Sequence, residues 1–195
     1  MSTDRNNIKL KKGLYKQRFS EIAKLGILVF HPNDLANLWQ IKNSNTLHTT
    51  LTRYTKEGLI FRIQKGLYSI REVGKIDPLL LGVKALHRYA YVSTETILAR
   101  SGIIFQEIPK ITLISSISKN FTVADQEYHS RQLADKFLFN DAGIIKENGV
   151  QIASVERAVA DLLYFNPHYY FDAQNLIDWK KVREIQKQIG YPEKR

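Results

Sequence analysis

Cysteine is absent from this chain of 195 residues. Disulfides, thiolate nucleophiles and cysteine-based zinc sites are thereby excluded. Histidine is scarce: His31, His48, His87, His129 and His168 lie far apart, none at the i, i+4 spacing of a helical metal site. The sequence therefore predicts no metal and no cofactor. Long apolar runs are missing too. The longest candidate, residues 25–30, falls far short of the roughly 20 residues of a membrane span. The opening MSTDRNNIKLKKG lacks the apolar core of a signal peptide, so a cytoplasmic protein with no membrane partner is expected. Catalytic signatures are equally sparse, with no GxxxxGKS/T, GxSxG or HExxH. Aspartates 125, 135, 141, 161, 172 and 178 do not offer the close spacing that two-metal chemistry needs. The chain reads as a non-enzyme.

What is plentiful is positive charge, and it is uneven. The net charge is +10. Residues 1–76 hold 14 Lys and Arg against 5 Asp and Glu; residues 77–195 hold 15 against 14. A concentrated basic field fits a polyanionic partner, of which nucleic acid is the commonest. A solvated basic tail accounts for part of it, since Lys9, Lys11, Lys12, Lys16 and Arg18 contribute. Hydrophobic residues at 44% exclude a disordered composition, and the length fits one large domain or two small ones.

Residues 1–12 read as a disordered basic arm. A first helix is expected over 14–24, with Leu14, Phe19, Ile22 and Leu25 apolar and Gly26 ending it. Residues 27–30 suit a small strand. Pro32 starts a turn, and Asn33 or Asp34 caps a short helix over 34–39. Asn43 or Ser44 caps a third helix running to about Glu57, with Gly58 at its C-terminal stop. Apolar runs 59–63 and 67–70 flank Gln64-Lys65-Gly66 as a hairpin. Helix, strand, helix, turn, helix, hairpin is the order of a winged helix-turn-helix, here over residues 13–74. After a linker, residues 77–195 read as a second, mixed α+β domain, so the chain is α+β. Its expected elements are helices at 79–89, 94–100 (capped by Ser93), 154–165 and 172–189. Strands are expected at 110–116 and 121–124, and a hairpin at 144–152.

In the third helix, Leu47, Leu51 and Tyr54 recur at i, i+4, i+7 and face a core. The opposite side holds Ser44, Asn45, His48, Thr49, Thr52, Arg53 and Lys56, with no acid before Glu57. Short hydrogen-bonding side chains and cations suit a major groove. Asn pairs with adenine, Arg with guanine, and Thr offers a hydroxyl and a methyl. Lys56 suits phosphate. At the hairpin, Arg62, Gln64 and Lys65 form a wing for the minor groove or its phosphates, or a simple solvated turn. Tyr68 is read as packing.

In residues 154–165, Val155, Val159 and Leu162 form the apolar stripe. Arg157 and Asp161, at i, i+4, pair on the other side, with Glu156 between that face and the core. The pair reads as an exposed structural ion pair, or as a polar contact for a partner or nucleotide. The aromatic-rich 164–171 reads as core or as an interaction surface. A different function class stays open: a nuclease or DNA-modification component targeted by a winged helix, for which Glu147, Glu156 and Asp161 are the candidate metal-binding carboxylates.

The run FHPNDLANLWQIKNSNTLHTTLTRYTKEGLIFRIQKGLYSI resembles the winged domain of AbiEi-type antitoxins of type IV abortive-infection toxin–antitoxin systems. YVSTETILARSGII, KITLIS and IASVERAVADLLYFNP are similar, in order, to pieces of that family's C-terminal antitoxin domain. The resemblance covers roughly residues 15–190, with the C-terminal motif matching at Glu156, Arg157 and Asp161. It implies a phage-defence antitoxin and transcriptional autorepressor that binds double-stranded DNA at repeats in its own promoter. It also implies a cognate nucleotidyltransferase-like toxin, counteracted functionally rather than in a stable complex. Repeated or palindromic sites imply two copies acting together.

Overall fold

In the computed structural model, residues 17–24 and 26–192 are described. The expected basic arm, Leu14 and Leu25 lie outside them. The chain is mixed α+β and divides after Ile76 into two units, Met1–Ile76 and Asp77–Arg195. Among the described residues, no helix is long and apolar enough to cross a membrane.

Among the described residues, helix α1, residues 17–24, comes first in the first unit. Strand β1 (Val29–Phe30) follows, then α2 (Pro32–Leu38), α3 (Ser44–Lys56), β2 (Phe61–Gln64) and β3 (Leu67–Ser69). The three strands form one antiparallel sheet in the order β1-β3-β2. Helix α2 starts two residues earlier than the sequence predicts. Pro32 is its first residue, where the missing N–H has no helical partner to lose. Asp34, rather than capping from outside, accepts the His31 backbone N–H at 2.8 Å from within the first turn. The turn to α3 is tight because Gln40 takes the left-handed conformation, φ 52. Gln40 N–H then reaches Asn37 C=O (3.3 Å) and Ile41 N–H reaches Ala36 C=O (2.9 Å), ending the helix without a glycine. Asn43 caps α3, its Oδ1 accepting Thr46 N–H at 3.1 Å. At the other end Gly58, φ 69, makes the same kind of stop. Ile22, Phe30, Leu35, Trp39, Leu47, Leu51, Tyr54, Ile60 and Tyr68 close the core.

The second unit holds α4 (Pro78–Leu86), β4 (Ala90–Val92), α5 (Glu95–Arg100), β5 (Ile111–Ser115), β6 (Lys119–Val123), β7 (Gln126–Gln132), α6 (Asp135–Leu138), β8 (Ile144–Glu147), β9 (Val150–Ala153), α7 (Val155–Phe165) and α8 (Trp179–Ile189). Six strands form one mixed sheet, ordered β6-β7-β5-β4-β9-β8. β4–β9 and β5–β7 run parallel; the remaining neighbours run antiparallel. Helix α4 lies so close to the sheet that a Cβ on Gly82 would meet the Tyr128 ring at 2.3 Å. That ring is stacked on Phe121 (5.0 Å between centroids) and tied by its hydroxyl to Pro78 C=O at 2.9 Å.

Several expected elements shift. The helix expected over 79–89 stops at Leu86, where His87 turns left-handed at φ 53. The helix expected over 172–189 begins only at Trp179. Asp178 caps it by accepting Lys181 N–H at 3.1 Å, and a short 3-10 turn, Gln174–Leu176, precedes it. Strands β4 and β7 and helix α6 were not expected. In the aromatic-rich stretch, Phe171 is core while Tyr170 is exposed.

Candidate nucleic-acid interface and a buried polar network

Helix α3 is held by its apolar stripe. Leu47, Leu51 and Tyr54 are buried, with Thr50 beside them. Trp39 meets the Tyr54 ring edge-on at 5.7 Å. This fixes how the helix is rolled, and the opposite side follows. Ser44, Asn45, His48, Thr49, Thr52 and Lys56 are exposed, and Arg53 is half-buried. His48, Thr49, Thr52, Arg53 and Lys56 together line a shallow depression on the surface.

The threonines divide by role. Thr50 and Thr55 return their hydroxyls to the Thr46 and Leu51 carbonyls, at 2.8 and 2.9 Å. Among the described residues Thr49 and Thr52 make no such bond, which leaves their hydroxyls for an outside group. Arg62 and Gln64 are exposed on β2, and exposed Lys65 stands at the hairpin tip beside Gly66, φ 79. Tyr68 is core and stacks on Phe30 at 6.4 Å.

The three candidates of the second unit do not form one surface. Glu156 is half-buried, but Arg157 and Asp161 are both 0% exposed. Their pairing is as expected, Nε to Oδ1 at 2.9 Å, but its place is corrected: it lies in the core, not on a solvent face. The physical reason is that every polar atom of the pair finds a partner there. Arg157 Nη1 donates to the Asn140 and Ala142 carbonyls at 3.0 and 2.9 Å. Its Nη2 donates to the Tyr91 hydroxyl at 2.7 Å. Asp161 Oδ2 accepts from Ser93 (2.7 Å) and Tyr91 (3.1 Å), and Oδ1 accepts from Tyr191 at 2.6 Å. A buried charge is tolerated only when paired and hydrogen-bonded in this way.

Burial pushes the Asp161 carboxyl up from its ordinary value, against the pull of Arg157, Tyr191 and Ser93. Burial opposes the Arg157 charge, yet Asp161 and the two tyrosines outweigh it and the guanidinium pKa rises. Tyr91 and Tyr191 are both pushed up, first by burial and then by the Asp161 charge. The sequence pattern did not single out Tyr91 or Tyr191, and it pointed to Ser93 as a helix cap. Thr94 holds the cap position instead, at φ 51, while Ser93 turns to Asp161. Nothing local flags Tyr191; its lone position after Gly190 is the one hint.

No family model matches the chain, and a search of curated proteins finds no match.

Glu147, at the exposed end of β8, and Glu156 are not brought together with Asp161 into a metal-binding set; among the described residues no group of three or more His, Asp and Glu is placed to hold a metal. Four hydrogen bonds already occupy the Asp161 oxygens.

Proposed function

We propose that the chain is a sequence-specific DNA-binding repressor. In this reading the first unit is a winged helix-turn-helix, α3 enters the major groove, and the β2–β3 hairpin is the wing. One observation carries it: the solvent side of α3 bears Asn45, His48, Thr49, Thr52, Arg53 and Lys56 with no carboxylate among them. An ordinary exposed helix would mix acids and bases. This one presents donors, acceptors and cations of the kind that read base edges and phosphates. The short α2–α3 turn and the basic hairpin agree with it.

From the resemblance to AbiEi-type antitoxins we further propose a cytoplasmic, non-enzymatic autorepressor that acts as two copies on promoter repeats. The second unit then counteracts a nucleotidyltransferase-like toxin without a stable complex. The packing of Arg157 and Asp161 into the core supports a scaffold role for that motif rather than a contact role.

The test is a mobility-shift titration on DNA upstream of the chain's own gene, at two salt concentrations. Wild type is compared with an Asn45→Ala, Arg53→Ala variant. A specific, salt-sensitive shift is expected, weakened by about 1–3 kcal/mol for each base-reading side chain removed. A shift equally strong on random DNA and indifferent to the substitutions would overturn the reading. The antitoxin half is tested separately: co-expression should relieve growth arrest caused by a nucleotidyltransferase-like protein encoded beside this gene. Unrelieved arrest at equal expression would remove that half.

A further inference from the structure

Charge within the second unit is polarised. Residues 77–178 hold 9 Lys and Arg against 12 Asp and Glu, whereas residues 179–195 hold 6 against 2. Helix α8 presents that excess in an ordered way. Lys180, Arg183 and Lys187 recur at i, i+3, i+7, so they fall on one stripe. All three are exposed, while Val182 and Ile189 on the far side are buried.

None of the three has a carboxylate partner among the described residues, although Lys75, Lys110, Arg131, Arg157 and Lys181 each have one. Helix stability does not explain the stripe. A cation in the last turn, such as Lys187, is favoured by the helix dipole, but Lys180 stands in the first turn, where a cation is disfavoured. Arg183 and Lys187 also line an open cleft of about 720 Å³ beside Tyr164, Pro167 and Tyr191.

We propose that α8 is a second nucleic-acid contact, binding the phosphate backbone of duplex DNA through Lys180, Arg183 and Lys187. It rests on the DNA-binding reading above. It assigns α8 no part in choosing sequence: three cations on flexible stems meet phosphates, which carry no base information. An acidic protein surface is the competing occupant. The stripe favours phosphate because the three charges follow one another along the helix with a single acid, Glu184, among them.

The experiment uses the full chain and three proteins. One is wild type. One carries Lys180→Gln, Arg183→Gln and Lys187→Gln, which keep helix propensity. The third carries Arg100→Gln, Lys119→Gln and Lys146→Gln, which remove equal charge from exposed positions on α5, β6 and β8. Each is titrated against the upstream duplex and a random duplex over a salt series.

The α8 variant should flatten the salt dependence by about 0.9 for each phosphate no longer neutralised, so by up to roughly 3. Its ratio of specific to random binding should stay unchanged. The control should leave the slope near wild type. Equal loss in both variants would reduce the effect to net charge and overturn the inference. An α8 variant that titrates like wild type would assign the stripe to an acidic protein partner, and overturn it too. If wild-type binding showed no salt dependence on either duplex, the DNA-binding reading would fall first.

Discussion

Arg157 and Asp161 stand one turn apart on α7 and meet with no solvent between or around them, both fully buried. Removing one partner strands the other as an uncompensated buried charge. Arg157→Met or Asp161→Leu alone should cost about 3–5 kcal/mol. The double variant should cost less than the sum of the two singles, because it strands no charge, but it should not reach wild type, because the Tyr91, Ser93 and Tyr191 hydroxyls lose their partner. Urea unfolding of the three variants checks this; a double variant as damaged as the sum of the singles would refute it.

The α3 and hairpin residues should separate by what they touch. Asn45→Ala should relax the preference for the upstream sequence at a cost of about 1–3 kcal/mol. Lys56→Ala and Lys65→Ala should each weaken binding to all duplexes alike and lower the salt slope by about 1. Titrations on specific and random duplexes would show whether the two behaviours part.

Gly82 is a packing requirement in the middle of a helix. Alanine there improves helix propensity by about 1 kcal/mol, but its methyl would lie 2.3 Å from the Tyr128 ring. That ring is pinned by Phe121 and by Pro78 C=O, so it has little freedom to move aside. Overpacking of about 1–3 kcal/mol wins, and Gly82→Ala should lower the melting temperature. An increase would mean that α4 can slide.

Alkaline pH should unfold the second unit by a route set by three tyrosines. Burial raises Tyr91, Tyr128 and Tyr191, with Tyr128 pushed up to about 12 from an ordinary 10.0. Above pH 10 the unfolded chain releases these protons while the folded chain keeps them. The folded state therefore binds more protons, and stability falls as pH rises. Stability should not depend on these groups below pH 10 and should decline steadily above it. At least these three of the ten tyrosines should stay protonated until the circular-dichroism signal collapses. Full tyrosinate absorbance in a still-folded protein would contradict this.

The first unit was legible because its signals are local. Pro32, Asn43, Gly58 and Gly66 mark boundaries within a few residues of where they act, and the spacing of Leu47, Leu51 and Tyr54 sets the roll of α3. Even so, Gln40 hid a helix stop, because a left-handed glutamine has no sequence signature. The second unit was harder. Strand β7, QEYHSRQ, has no aliphatic residue to announce it. Asp161 looked solvent-facing because its stripe opposes Val155, Val159 and Leu162, yet its partners lie 70, 68 and 30 residues away. Neither helical period nor local charge order carries that information; only the sheet and α8 bring those donors in.

The tyrosine at 191 has a bearing on how the protein is made. Among the described residues, the strands and the core cluster of the first unit draw on nothing beyond Ile70, so that unit can complete itself while the ribosome is still translating the rest, as domains commonly do. The second unit has no such freedom. Its central carboxylate waits for a hydroxyl 30 residues downstream, which must clear the exit tunnel before the charge is fully satisfied. A nascent chain stalled short of that point would carry a finished first half and a frustrated second, a natural substrate for quality-control proteases.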